Sequence, residues 1–281
     1  MPLFTVAILA GLQGFAEVLP ISASGHGIVA KLWMDGDEGV SPAILSGAIL
    51  VAMAVALRSS LVAAVGEGIR AVARPILFTT SPGAQVAAVT AVTTAVSLGV
   101  GAALGPFVDE WGQEPLGIGV GLVVTAVGLS STRLAPRAYL EAPSLLGAVL
   151  VGVAHGYAVA PGISRVGMAL TLLLWLRVKA PRALELALLL SLPGLVIAFV
   201  EGMLVGRPTG APTEVGTAIT GLVVAFLAAG FACMLLRALV SRGRLALFAL
   251  WLMPLGLATI AYARALPEAA PSDSPLAAGE G

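Results

Sequence analysis

Six apolar stretches of roughly twenty residues, at about 42–58, 84–105, 115–133, 183–204, 215–237 and 245–263, leave this chain few folds to choose from. A bilayer offers the backbone no water, so each stretch must satisfy its own N–H and C=O groups by coiling into a helix. Only 11% of the 281 residues are charged and 58% are hydrophobic, against about a quarter charged in an ordinary soluble domain. The sequence therefore predicts an all-α polytopic membrane protein. Its net charge of zero gives no basis for nucleic-acid binding. Cys233 is the only cysteine, which excludes an internal disulfide and reads as packing within an apolar run. No cleavable signal is expected at Met1-Pro2-Leu3, which lacks a basic leader. One membrane domain spans 1–264, and the Pro-, Ala- and Ser-rich acidic stretch 265–281 reads as a disordered tail.

Two further stretches, 3–34 and 145–177, are apolar at both ends but broken in the middle by proline, serine and glycine. That pattern suits a re-entrant helical hairpin, whose irregular turn is tolerated only under a cover of protein or water. Residues 59–75 are amphipathic and basic, better placed at the membrane surface than across it. Charge checks the topology. If both hairpins return to the side they entered, one set of loops holds Arg58, Arg70, Arg74, Arg133, Arg137, Arg177, Lys179, Arg182, Arg237, Arg242 and Arg244. The opposite loops collect Asp35, Asp37, Glu38, Asp109, Glu110 and Glu114 with only Lys31, Arg207 and Arg264, while Arg165 sits at a hairpin tip. This segregation obeys the positive-inside rule and puts the N-terminus outside.

The broken stretches are copies of one another. "QGFAEVLPISASGH" (13–26) aligns with "HGYAVAPGISRVGM" (155–168) at an offset of 142, matching Gly14 with Gly156, Ser22 with Ser164 and Gly25 with Gly167. Each copy leads into three spans, giving repeats of about 3–134 and 145–264. Three is odd, so the second repeat is inverted relative to the first. Two inverted-topology repeats, each a hairpin plus three transmembrane helices, bring their broken elements together near the bilayer midplane, where such proteins build their sites.

The polar residues of the copies then form one site. Gln13 and Glu17 are four apart and share a helical face. Pro20 ends that half-helix, and Ser22 or Ser24 can cap the next. A capped helix start, rich in glycine and free N–H groups, attracts anions. Arg165 follows Ser164 in the other turn and offers a bidentate fork for phosphate. His26 can exchange a proton near neutral pH. A carboxylate, a guanidinium, an imidazole and hydroxyls in a membrane cavity favour a phosphorylated, lipid-linked ligand. Plainer readings stand beside this one. Glu17 and Arg165 can be a structural ion pair joining the repeats, and His155 a helix–helix contact. Against decoration, one charge at mid-membrane costs about 2.5–3.5 kcal/mol on insertion scales.

Together, "QGFAEVLPISASGH" and "PGISRVG" make the chain resemble the undecaprenyl-diphosphate phosphatase family, the bacitracin-resistance type of membrane lipid phosphatase, over residues 3 to 264. The resemblance implies hydrolysis of undecaprenyl diphosphate to the monophosphate on the outer face of a bacterial inner membrane. That reaction recycles the carrier lipid for cell-wall synthesis and uses a divalent cation, Mg²⁺ or Ca²⁺. Carried over by position, Gln13 and Glu17 would hold the metal, Glu17 alternatively acting as a base. His26 would serve in proton transfer or attack. Ser164, Arg165, Gly162 and Gly25 would bind the phosphates, with Ser22 and Ser24 assisting catalysis. The partners implied are the polyprenyl diphosphate and membrane lipids, with a homodimer left open. The chain departs from the family pattern at Ala23, Val166 and Ala169, where hydroxyl residues are usual, and at His155 in place of glutamine. Without a serine at Ala23, the attacking group can be Ser22, Ser24, His26 or water. A lipid-phosphate transporter or flippase, or an inactive binding homologue, is the alternative.

Overall fold

The computed structural model describes residues 3–33, 40–111, 114–204 and 214–266. The acidic residues Asp35, Asp37 and Glu38 and the tail from 267 onward lie outside them. Helices dominate: α1 (Leu3–Val18), α2 (Ala23–Trp33), α3 (Pro42–Ala56), α4 (Arg58–Ala73), a short α5 (Leu77–Thr80), α6 (Pro82–Trp111), α7 (Pro115–Ser131), α8 (Leu145–Gly156), α9 (Arg165–Trp175), α10 (Ala180–Leu204), α11 (Val215–Ser241) and α12 (Leu247–Ala265). Among the described residues the only isolated β-bridge joins Leu140 to Val178. Nearby, Glu141 pairs with Lys179 and Arg182 on the basic side. The Lys179 ammonium holds the Glu141 carboxyl below the usual carboxylate range.

Five helices, α6, α7, α10, α11 and α12, are each long and apolar enough to cross a membrane, so the protein is multi-pass. The span expected at 42–58 is shorter than that. α3 has 15 residues, about 22 Å at 1.5 Å per residue, whereas a hydrocarbon core is about 30 Å thick. At Leu57 the chain bends by 85° into α4, and the two make a sixth crossing only as a broken pair. The charge pattern accounts for the bend, because α4 carries Arg58, Glu67 and Arg70 and cannot simply prolong an apolar span. Val62, Ile69 and Val72 lie exposed along it. On its inner side Glu67 accepts the Gly83 N–H at 2.9 Å and the Ser81 hydroxyl, so it caps α6.

Both hairpins form, α1–α2 and α8–α9, with non-helical turns at Leu19–Ser22 and Ala160–Ser164. The core between them is leucine-rich: Leu186, Leu188 and Leu195 of α10 are fully buried, as are Leu170 and Leu173 of α9. α3 packs on α10, α7 on α12, α1 on α11 and α8 on α6. Small residues let the last two pairs approach closely, as membrane helices require. A Cβ on Gly14 would stand 2.5 Å from the Ala225 carbonyl oxygen of α11, and one on Gly156 would stand 2.8 Å from that of Ser97 on α6.

Candidate active site

Each hairpin turn ends on a serine that caps the following half-helix. Ser22 Oγ accepts the Gly25 N–H at 3.2 Å, and Ser164 Oγ accepts the Gly167 N–H at 3.1 Å. Helices α2 and α9 therefore begin at equivalent points, and both beginnings face the same cavity. Its volume is about 250 Å³, and its wall includes Glu17, Ser22, Ser24, Ser164, Arg165 and Val166. The first N–H groups of any helix have no intrahelical partner. Two helix starts on one wall make it electropositive before any side chain is counted.

Across this cavity the Arg165 guanidinium pairs with the Glu17 carboxylate, joining α9 to α1. The carboxylate side chain is 4% exposed and the guanidinium side chain 37%. One member is thus sealed into the protein while the other reaches open space. Ser24 Oγ lies 3.4 Å from Ser22 Oγ and is the exposed hydroxyl of the two. Ser22 has a positive φ of 71°, a left-handed conformation costing about 1–2 kcal/mol for a residue with a side chain. His26 clamps it there, since its backbone N–H and its Nδ1 meet the Ser22 carbonyl oxygen at 3.1 and 3.0 Å.

The remaining residues singled out in the sequence lie elsewhere. Gln13 lines a separate small void with Leu9 and Leu45, reached past Ala23, which borders both spaces. Sharing a helical face with Glu17 does not bring it to the same wall, because the α2 start fills the space between. Gly25 and Gly162 meet back to back. A Cβ on Gly25 would stand 2.9 Å from the Gly162 Cα, so these glycines serve the contact between the two tips. His26 is 6% exposed, and its Nε2 accepts the indole N–H of Trp251 at 2.9 Å. His155 makes a helix–helix contact, Nδ1 to Ser97 Oγ at 2.8 Å, while its Nε2 is buried with no partner among the described residues. Of the departures from the family pattern, Ala23 and Val166 face the cavity, whereas Ala169 is wholly buried in the core.

Two residues that hydrogen-bond the site residues are not marked by any motif. Thr125 of α7, wholly buried, accepts the Ser164 N–H at 3.0 Å and shares its one hydroxyl proton between the Gly162 carbonyl at 2.9 Å and the Gly121 carbonyl at 3.0 Å. It holds the second turn in register with the cavity. The available signal was a lone threonine in the apolar run "LVVTAV". Trp251 is the other, an indole N–H that needs a partner in a span. Thr125→Val is expected to strand the Ser164 N–H, destabilising the protein by about 1–3 kcal/mol. Thr125→Ser should retain the bond and the stability, as thermal unfolding of the two variants would show.

Comparison with known proteins identifies the family. The family model described as "Bacitracin resistance protein BacA" matches residues 6–258. A protein of Korarchaeum cryptofilum named undecaprenyl-diphosphatase is 30% identical over 266 residues, 92% of this chain and 99% of its own length. One of the same name from Treponema denticola is 26% identical over 265 residues, 93% and 98% of the two chains. With a match that begins at Val6 in α1 and ends at Ala258 in α12, the chain belongs to the bacitracin resistance protein BacA family.

Proposed function

We propose that this protein hydrolyses undecaprenyl diphosphate to undecaprenyl phosphate and inorganic phosphate in the plasma membrane, recycling a carrier lipid of cell-wall synthesis and conferring bacitracin resistance. The observation that carries the reading is the Glu17–Arg165 pair, set between two helix starts on one cavity wall. Each member is a placeholder for the other's true partner. The carboxylate occupies the fork that would take a diphosphate, and the guanidinium occupies the carboxylate that would take a cation.

Binding would exchange these partners. Arg165 takes the diphosphate, joined by the Ser164 hydroxyl and the N–H groups opening α2 and α9. Among the described residues no three His, Cys, Asp or Glu side chains cluster, and Glu17 is the single carboxylate on the wall. One carboxylate plus substrate phosphates is an ordinary setting for Mg²⁺, so the residues fit a divalent cation, Mg²⁺ or Ca²⁺, that Glu17 would hold together with the diphosphate. When bound, such a cation supplies neutralisation of charge on the phosphate oxygens. Ser24 lies open on the cavity wall beside Ser22, placed to orient the attacking water or to attack. The anhydride P–O bond breaks, water supplies the oxygen and protons, and the lipid monophosphate stays on Arg165 until it diffuses out.

Contact symmetry supports the inverted-repeat reading. Shifting by 142 carries the Gly14 contact with α11 onto the Gly156 contact with α6. It also carries the Gly25 contact with Gly162 onto that of Gly167 with Pro20, where a Cβ would stand 3.3 Å away. Transport of a lipid phosphate is the reading that shares this architecture. Phosphate release from undecaprenyl diphosphate by the purified protein in detergent, with Mg²⁺ or Ca²⁺ and with chelator, separates the two. Release that chelation abolishes is the expected result. Folded protein that binds the lipid without releasing phosphate would overturn it in favour of transport.

A further inference from the structure

His26 lies beneath α12, where Trp251 reaches it. The two rings are inclined by 25°, with centroids 6.4 Å apart. The indole N–H, 2.9 Å from Nε2, therefore meets the imidazole nearly in its own plane, where the nitrogen lone pair lies. An indole N–H donates and cannot accept. On the other edge of the ring, Nδ1 is 3.0 Å from the Ser22 carbonyl oxygen, which accepts and cannot donate. These two partners admit one form of the side chain: neutral, with the proton on Nδ1 and the lone pair on Nε2. Exposure divides unevenly across the bond. His26 is 6% exposed, whereas Trp251 is 58% exposed on the outer face of α12.

We propose that Trp251 is a positioning residue for the phosphatase reaction, acting through His26: its indole fixes the tautomer whose Nδ1–H holds the strained Ser22 turn on the cavity wall. The inference rests on the phosphatase reading above. It gives the histidine a defined role there, because Ser22 and Ser24 line the cavity and the Nδ1–H bond to the Ser22 carbonyl anchors the turn that carries them. The imidazole is buried, and the indole supplies the partner that its Nε2 would otherwise lack. Ser22 and His26 are then coupled. The strained turn that caps α2 and the tautomer of the histidine depend on the same carbonyl.

The test reads the tautomer directly. The chain contains two histidines, so ¹⁵N-histidine labelling of the full chain in micelles gives a simple spectrum, with His155→Gln assigning the signals. The wild type is expected to show one imidazole protonated at Nδ1 with a hydrogen-bonded Nε2. Trp251→Phe keeps an aromatic ring and removes the donor. It should move the Nε2 signal of His26, admit the other tautomer and leave the His155 signals in place. Turnover of the same variant should fall about three- to tenfold, the worth of one hydrogen bond, with KM changed less than twofold. His26 signals that ignore Trp251→Phe, or a wild-type proton on Nε2, would overturn the proposal. So would a changed tautomer with unchanged kcat. If wild-type protein releases no phosphate, the phosphatase reading fails, while the spectra still report whether Trp251 sets the form of His26.

Discussion

Arg165→Ala is expected to cost phosphate release about a hundred- to a thousandfold and to destabilise the protein in the same step. Both losses come from one geometry. The Glu17 side chain is 4% exposed and its charge is met by Arg165. Removing the guanidinium leaves a carboxylate buried without compensation, a change that costs about 3–5 kcal/mol in sealed pairs. The Arg165 side chain is 37% exposed, so water will reach part of the space it vacates and the lower end applies. Thermal unfolding in detergent should register that fall even where no substrate is present.

Glu17→Gln should behave differently, and the contrast decides between a working pair and a structural one. The amide is nearly isosteric and uncharged, so stability changes by only about 1 kcal/mol. Turnover is expected to vanish with the carboxylate. Binding of undecaprenyl phosphate in the presence of chelator, however, should strengthen several-fold, because the guanidinium no longer has to leave a carboxylate to take a phosphate. Arg165→Ala should lose that binding altogether. If Glu17→Gln and Arg165→Ala weaken lipid-phosphate binding alike, the pair is only a strut between α1 and α9.

The sequence marks the residues of the cavity wall better than those behind it. Glu17, Ser22, Ser24, Ser164 and Arg165 all line the cavity, and each sits in or beside a turn spelled out by Pro20 or by Pro161 and Gly162. A break in an apolar helix is visible without knowledge of the partner. The direction of a side chain is not. Gln13 and Glu17 share a face by spacing, yet the start of α2 separates them into two spaces. Thr125 and Trp251 act on residues 39 and 225 positions away, and nothing local distinguishes them from packing. α3 illustrates the same limit in the fold. Hydropathy extends it to residue 58, but the charges of α4 turn the chain at Leu57.

Gly162→Ala should be the most damaging glycine substitution among the described residues, and the reason is geometric rather than chemical. Gly162 has φ +88°, where a side chain is strained whatever its surroundings. A Cβ there would also stand 2.3 Å from the Ile118 carbonyl oxygen and 2.8 Å from the Leu122 N, both backbone atoms of α7. Backbone inside a packed helix cannot step aside as a side chain can. The turn would have to lift off α7, releasing the Thr125 bonds to Ser164 and Gly162 and drawing Arg165 away from Glu17. Strain, clash and lost hydrogen bonds together should exceed about 4 kcal/mol, seen as little folded protein or a thermal midpoint lower by about 10 °C. Gly243→Ala separates the contributions. Its φ is +64° and nothing lies within 4 Å of the added Cβ, so it carries the conformational cost of about 1 kcal/mol alone and should leave activity intact. Were Gly162→Ala no worse than Gly243→Ala, the second turn would not be seated on α7. The two helix starts would then owe their shared cavity to some other contact.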